Sequence, residues 1–202
     1  YGGQSNQGDA RGNQIEVTGG TFGGGTLTGG ASISSGNAIN NRVTVSAGSG
    51  VLGNVYGGSA AVGDAVENEV DLSGTLNITT AIGGFSAERV ARENKVKVAG
   101  GRVTRVYGGS SGYGDATLNT VEISDTAFTG GIVVGGQSVE SGDATQNSVE
   151  ITNSSGSLDS IYGGWSKLGN VAGNEIHVEG GTVGAVAVAG GYSESGTAAD
   201  NE

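Results

Sequence analysis

The chain has 202 residues, 43 of them glycine, with no proline, cysteine or methionine, 35% hydrophobic and 5% aromatic residues, and a net charge of −11. So little apolar material excludes a large central core, and glycine at this level without proline is neither collagen nor a typical disordered linker. Zero cysteines excludes disulfides and thiolate metal sites, and the acidic balance argues against a nucleic-acid partner.

Taken in chain order, the first stretch already contains the whole pattern. It opens on Tyr1-Gly2-Gly3, continues through Ser5 to a small turn, Gly8-Asp9-Ala10, and reaches Asn13. Ile15 and Val17 follow in strict alternation, the mark of a strand with one buried face. A second turn at Gly19-Gly20 leads to Phe22 and then to Leu27, just ahead of the next Gly-Gly region.

That order then recurs. The anchor glycines return as Gly29-Gly30, Gly57-Gly58, Gly83-Gly84, Gly108-Gly109, Gly135-Gly136, Gly163-Gly164 and Gly190-Gly191. A serine follows at Ser32, Ser86, Ser111, Ser138, Ser166 and Ser193, with Ser59 one place early in the third copy. An asparagine stands in every copy: Asn13, Asn41, Asn68, Asn94, Asn119, Asn147, Asn174 and Asn201. Two and four places after it come aliphatics, such as Val43/Val45, Val96/Val98 and Val149/Ile151. A further buried column is expected at Phe22, Val51, Leu76, Val103, Phe128, Leu158 and Val183.

One copy cannot bury its own apolar seam, whereas copies stacked about 4.8 Å apart pair every strand with its equivalent above and below. The expected fold is all-β: a right-handed parallel β-helix (β-solenoid) of about eight coils at roughly 27 residues per coil. A three-strand coil and a flatter two-sheet coil both fit. Residues 1–202 read as one repeat domain, and the opening on Tyr1 reads as an internal fragment of a longer chain. The asparagines share parity with the buried aliphatics, so they are expected to point inward as a structural amide ladder. Glycine is expected at the corners for its positive φ.

The unit V-Y-G-G-x-S-x-x-G-D-A-x-x-N-x-V-x-I, clearest from Val106 to Ile123, resembles Gly-rich repeats of bacterial type V autotransporter adhesins. The resemblance is to passengers of very large surface autotransporters of anaerobic Gram-negative bacteria. It implies a β-helical stalk that is extracellular, tethered to the outer membrane or secreted, and exported through its own C-terminal barrel. Cell adhesion and virulence would be its biology. Its partners would be a host-cell receptor, a glycan or another bacterial surface, and end-to-end self-association is a further possibility.

Several constellations bear on ligands. Tyr56, Tyr107 and Tyr162 lie in the anchor column, and Phe85, Trp165 and Tyr192 follow the glycines. Such aromatics either contact a sugar or receptor, or cover the glycines. Asp115 and Asp143 fall in one turn column of adjacent coils, where an Asx turn is the ordinary reading and a bridging Ca²⁺ the alternative. Arg89, Arg92, Lys95, Lys97, Arg102 and Arg105 crowd around the fourth copy, either as a docking patch or as partners of Glu69, Asp71 and Glu122 in neighbouring copies. His177 is a solitary, outward histidine with Glu150 beside it in the preceding copy.

No copy carries a long insertion that would build a catalytic cleft, so a non-enzymatic protein without cofactor or metal is expected. The alternatives are a carbohydrate-active β-helix enzyme and a filament-forming solenoid. No apolar run is long enough for a membrane span.

Overall fold

The computed structural model describes residues 1–202 and contains strands and turns but no helix. It is a β-solenoid in which strands pair in parallel with their counterparts one coil away. Eight two-residue strands stack in one sheet, and the chain makes about seven turns between the first and the last.

The coils are built from three kinds of strand. In one coil these are a glycine strand, Arg102–Ser111, a two-residue bridge, Ala116–Thr117, and a valine strand, Thr120–Ser124. In two coils a further short strand, Thr21–Gly23 or Ala127–Thr129, follows the valine strand. Elsewhere the valine strand runs without interruption into the next glycine strand, as in Arg42–Ala60 and Glu69–Ser86. The alternating valines of one coil sit directly over those of the next, for example Val70, Val96, Val121, Val149 and Ile176. They form the middle of a continuous core cluster of 21 buried residues.

The expected buried column needs one correction. Val51 is 46% exposed and its neighbour Leu52 is buried, stacked on Ile78, which in turn meets Val103. Gly50 occupies the inward place in that coil, over Phe22 and beneath Leu76. A glycine likewise stacks on the second inward phenylalanine, as Phe128 meets Gly156. Each ring fills volume that the coil above leaves free.

The positive φ expected of corner glycines holds at the second turn, as in Gly19-Gly20, Gly100-Gly101 and Gly180-Gly181, but not at the anchor. None of the Gly-Gly anchors has positive φ; they lie within extended strands. The left-handed turns are elsewhere, and one falls immediately before each ladder asparagine. Gly12, Asn40, Glu67, Glu93, Leu118, Gln146, Gly173 and Asp200 all have φ between 51° and 66° there. Six of these eight are not glycine, so the corner leaves no glycine signature. Its constancy comes from the bridge having to reverse into the valine strand at the same point in every coil.

Candidate functional site

The asparagines form an inward ladder along one corner of the solenoid. Asn94 donates from its backbone N–H and from Nδ2 to Oδ1 of Asn119, both at 3.0 Å. Asn119 repeats this toward Asn147, and its remaining Nδ2 hydrogen goes to the carbonyl of Ala91 at 2.9 Å. The same contacts run from Asn13 to Asn201, with steps of 25 to 28 residues. Each interior amide therefore uses both hydrogens and its oxygen, and no buried side-chain polar atom in the chain lacks a partner.

This ladder explains the Gly-Gly anchor. A Cβ on the second glycine, Gly109, would lie 2.7 Å from Nδ2 of Asn119 and closer still to Oδ1 and Cγ. A Cβ on the first, Gly108, would press on the backbone of Thr120 at 3.1 Å and on the Gly135 carbonyl. The glycine strand thus lies flat against the asparagine corner because it has no side chains there.

Two further ladders fix the turn between glycine strand and bridge. Ser86 donates to the Gly63 carbonyl in the coil below at 2.7 Å and accepts from the Arg89 N–H at 2.9 Å, and Ser166 does the same with Gly142 and Gly169. In the third coil the register puts Ala60, not Ser59, in this column. Ala60 is fully buried, while Ser59 points outward between Ala31 and Phe85. Ala60→Ser should therefore restore a missing rung to the Gly36 carbonyl and raise stability by about 1 kcal/mol, read as a higher urea midpoint. A lower midpoint would mean that the coil is too tightly packed there for a hydroxyl.

In the Asp/Asn column, Asp115 accepts the Asp143 N–H at 2.8 Å, and Asp143 accepts the Asn170 N–H at 2.7 Å. Asp9 accepts from Asn37 in the same manner, and this bond, with Arg11 beside it, holds its carboxyl below the usual carboxylate range. Asp115 and Asp143 each have an oxygen engaged by backbone, and no group of three or more potential metal-binding side chains gathers anywhere in the chain.

The valine face is charged. Arg42 pairs with both Glu69 (3.2 Å) and Asp71 (3.3 Å), and Lys95 reaches diagonally to Glu122. Lys95 does stand beside Glu69, and Lys97 between Asp71 and Glu122, but the ion pairs form with other partners. His177 lies beside Glu150 in register, and its Nε2 is 3.4 Å from Glu179. Glu150, Glu175 and His177 share a shallow, open groove on this face.

The glycine face has a different character. The residues on either side of the anchor glycines form two columns, in which the rings are partly exposed and Ile82, Val134 and Ser110 are buried between them. One contains Tyr56, Ile82, Tyr107, Val134 and Tyr162, and the other Phe85, Ser110, Gln137, Trp165 and Tyr192. Rings pair across the glycines from one coil to the next: Tyr56 with Phe85 at 6.3 Å, and Tyr162 with Tyr192 at 5.5 Å. They flank the anchor glycines and remain partly exposed to solvent. Tyr107 has no ring partner. Burial pushes its hydroxyl pKa up, opposed by the adjacent Arg105.

Charge is almost absent from this face. Across all eight coils, with the valine-face halves of Arg42–Ala60 and Glu69–Ser86 set aside, its strands hold one carboxylate, Asp159, against two guanidiniums, Arg102 and Arg105. Sequence columns alone contained this segregation, but it becomes visible only once the strands are assigned to faces. No protein-family model matches the chain, and no curated protein or solved structure matches it either.

Proposed function

We propose that this chain is a non-enzymatic, surface-displayed binding segment, the stalk and adhesive portion of an autotransporter passenger held at a bacterial outer membrane or released from it. One observation carries this reading: partly exposed aromatics stand on five of the last six coils of a nearly carboxylate-free face, and no coil departs from the stack to build a cleft. Flat aromatic faces suit stacking on sugar rings or receptor side chains. Regular coils extend that face away from its attachment point.

The test is binding of the purified chain to host cells, bacterial cells and glycan arrays, with Trp165→Ala/Tyr192→Ala as the comparison. The double variant should keep the far-UV spectrum and lose at least about tenfold in binding, given one to three kcal/mol for each stacked ring. Depolymerisation of a polysaccharide by the chain would replace this reading with a carbohydrate-active enzyme. Concentration-dependent rods without surface binding would replace it with a filament.

A further inference from the structure

The charge balance and surface relief of the glycine face identify a ligand class more specific than a surface in general. Arg102, Thr104, Arg105 and Tyr107 follow one another along one strand, with Val103 and Val106 turned into the core between them. Neither guanidinium has a carboxylate within ion-pair distance, whereas Arg11, Arg42, Arg92, Lys95 and Lys167 all do. Their register neighbours are uncharged: Asn77 and Ala127 flank Arg102, and Thr80 and Ile132 flank Arg105. Ile82 and Val134 flank Tyr107.

Beside Arg102 the surface is grooved. Val51, Asn77, Thr79, Arg102, Thr104 and Thr129 line the groove, and they belong to four successive coils. It therefore runs along the solenoid axis, across the strands, over roughly 14 Å at 4.8 Å per coil. A channel of that direction and length fits an extended polymer better than a compact small molecule. Its lining offers hydroxyls, one amide and one guanidinium beside apolar Val51 and Ile78, with no carboxylate.

We propose that this groove and the strand that continues from it bind an acidic polysaccharide, its carboxylate or sulfate groups on Arg102 in the groove and on Arg105 just beyond it, and its sugar rings against the threonines of the groove and Tyr107 farther along the strand. The inference rests on the adhesive reading above and assigns a ligand to that same face. A guanidinium fork matches carboxylate and sulfate geometry, and hydroxyl and amide groups match sugar hydroxyls. The chain's overall charge of −11 does not forbid it. Apart from Asp159, whose Oδ2 accepts the Gly131 N–H at 3.0 Å, the acids lie outside the glycine-face strands, and charges farther apart than about 8 Å are largely screened at physiological salt. An acidic protein is a poorer fit, since of the two apolar lining residues Ile78 is buried and only Val51 is exposed, against three threonines and an asparagine that match sugar hydroxyls.

The experiment measures binding of the intact 202-residue chain to polygalacturonate, dextran sulfate, uncharged dextran and polyglutamate. The first two should bind, more weakly as salt rises, and dextran should not. Arg102→Ala/Arg105→Ala should lower affinity for both by at least about tenfold. Lys97→Ala, which removes an unpaired exposed charge from the valine face, should change it by less than about twofold. Both arginines are exposed, so thermal melting should show the double variant folded.

Wild-type affinity in the double variant, or an equal loss in Lys97→Ala, overturns the site. Polyglutamate binding as tightly as the sugars turns the ligand into an acidic protein. Aromatic-dependent binding to neutral glycans or cells, without binding to the acidic polymers, sinks this inference and leaves the adhesive reading standing. Binding to none of these surfaces sinks both.

Discussion

Asn119→Ala should destabilise the solenoid by about 3–4 kcal/mol, a large loss for a change of one small side chain. The substitution leaves two donors on Asn94 and the Ala91 carbonyl without partners, all in a buried corner. Each unsatisfied buried group costs about 1–3 kcal/mol because no water replaces the lost partner. Asn147 is affected less, since the backbone N–H of residue 119 still reaches its Oδ1. Asn13, at the partly exposed first level, makes only the contacts toward Asn41. Asn13→Ala should therefore cost about 1 kcal/mol. Urea denaturation followed by far-UV circular dichroism reads both values. Hydrogen exchange should place the Asn119→Ala loss in the coils on either side of the gap. Equal costs at the two positions would mean that the ladder is ornamental and valine packing alone holds the coils.

Gly109→Ala should cost about 3 kcal/mol, by overpacking. The added methyl would fall on the Asn119 amide, whose position is held by neighbours above and below. Gly12→Ala is the control. It has left-handed φ of 66° but nothing within 4 Å of the new Cβ, so only backbone strain of about 1 kcal/mol opposes it. In an Asn119→Ala background the methyl at position 109 gains the space vacated by the amide. The double variant should then be more stable than the sum of the two losses by about 2 kcal/mol. Strict additivity would separate the glycine column from the asparagine ladder and require another cause for the Gly-Gly pair.

These two expectations also mark where sequence reading and structure part. Period-two alternation around Val43/Val45 and Val96/Val98 and the recurring asparagine were legible because each is a local pattern repeated in register. A repeat amplifies a weak local signal into a column. Departures from the column were not legible. Ala60 replaces the serine because strand register, not similarity of residue type, decides which side chain turns inward. Val51 and Leu52 exchange places for the same reason: a one-residue slip reverses the faces. The ion pairs show a related limit. Lys95 and Glu69 share a column, but long side chains reach diagonally, and Arg42 holds the acid instead.

By itself the amino-acid sequence determined that the chain stacks on itself in parallel coils, since no single coil can bury its seam and every coil carries the same seam. It also determined that asparagine recurs once per turn, with serine in seven of the eight turns and aspartate in four. Only the tertiary structure decided why the anchor is Gly-Gly: not for positive φ, but because the asparagine amide of a distant strand occupies the space a side chain would need. The candidate ligand face was decided in the same way. Arg102, Thr104, Arg105 and Tyr107 are neighbours in the chain, but Tyr56, Asn77, Thr79, Thr129 and Tyr162 lie tens of residues away, and only the winding of the chain brings them onto one surface while turning nearly all the carboxylates elsewhere.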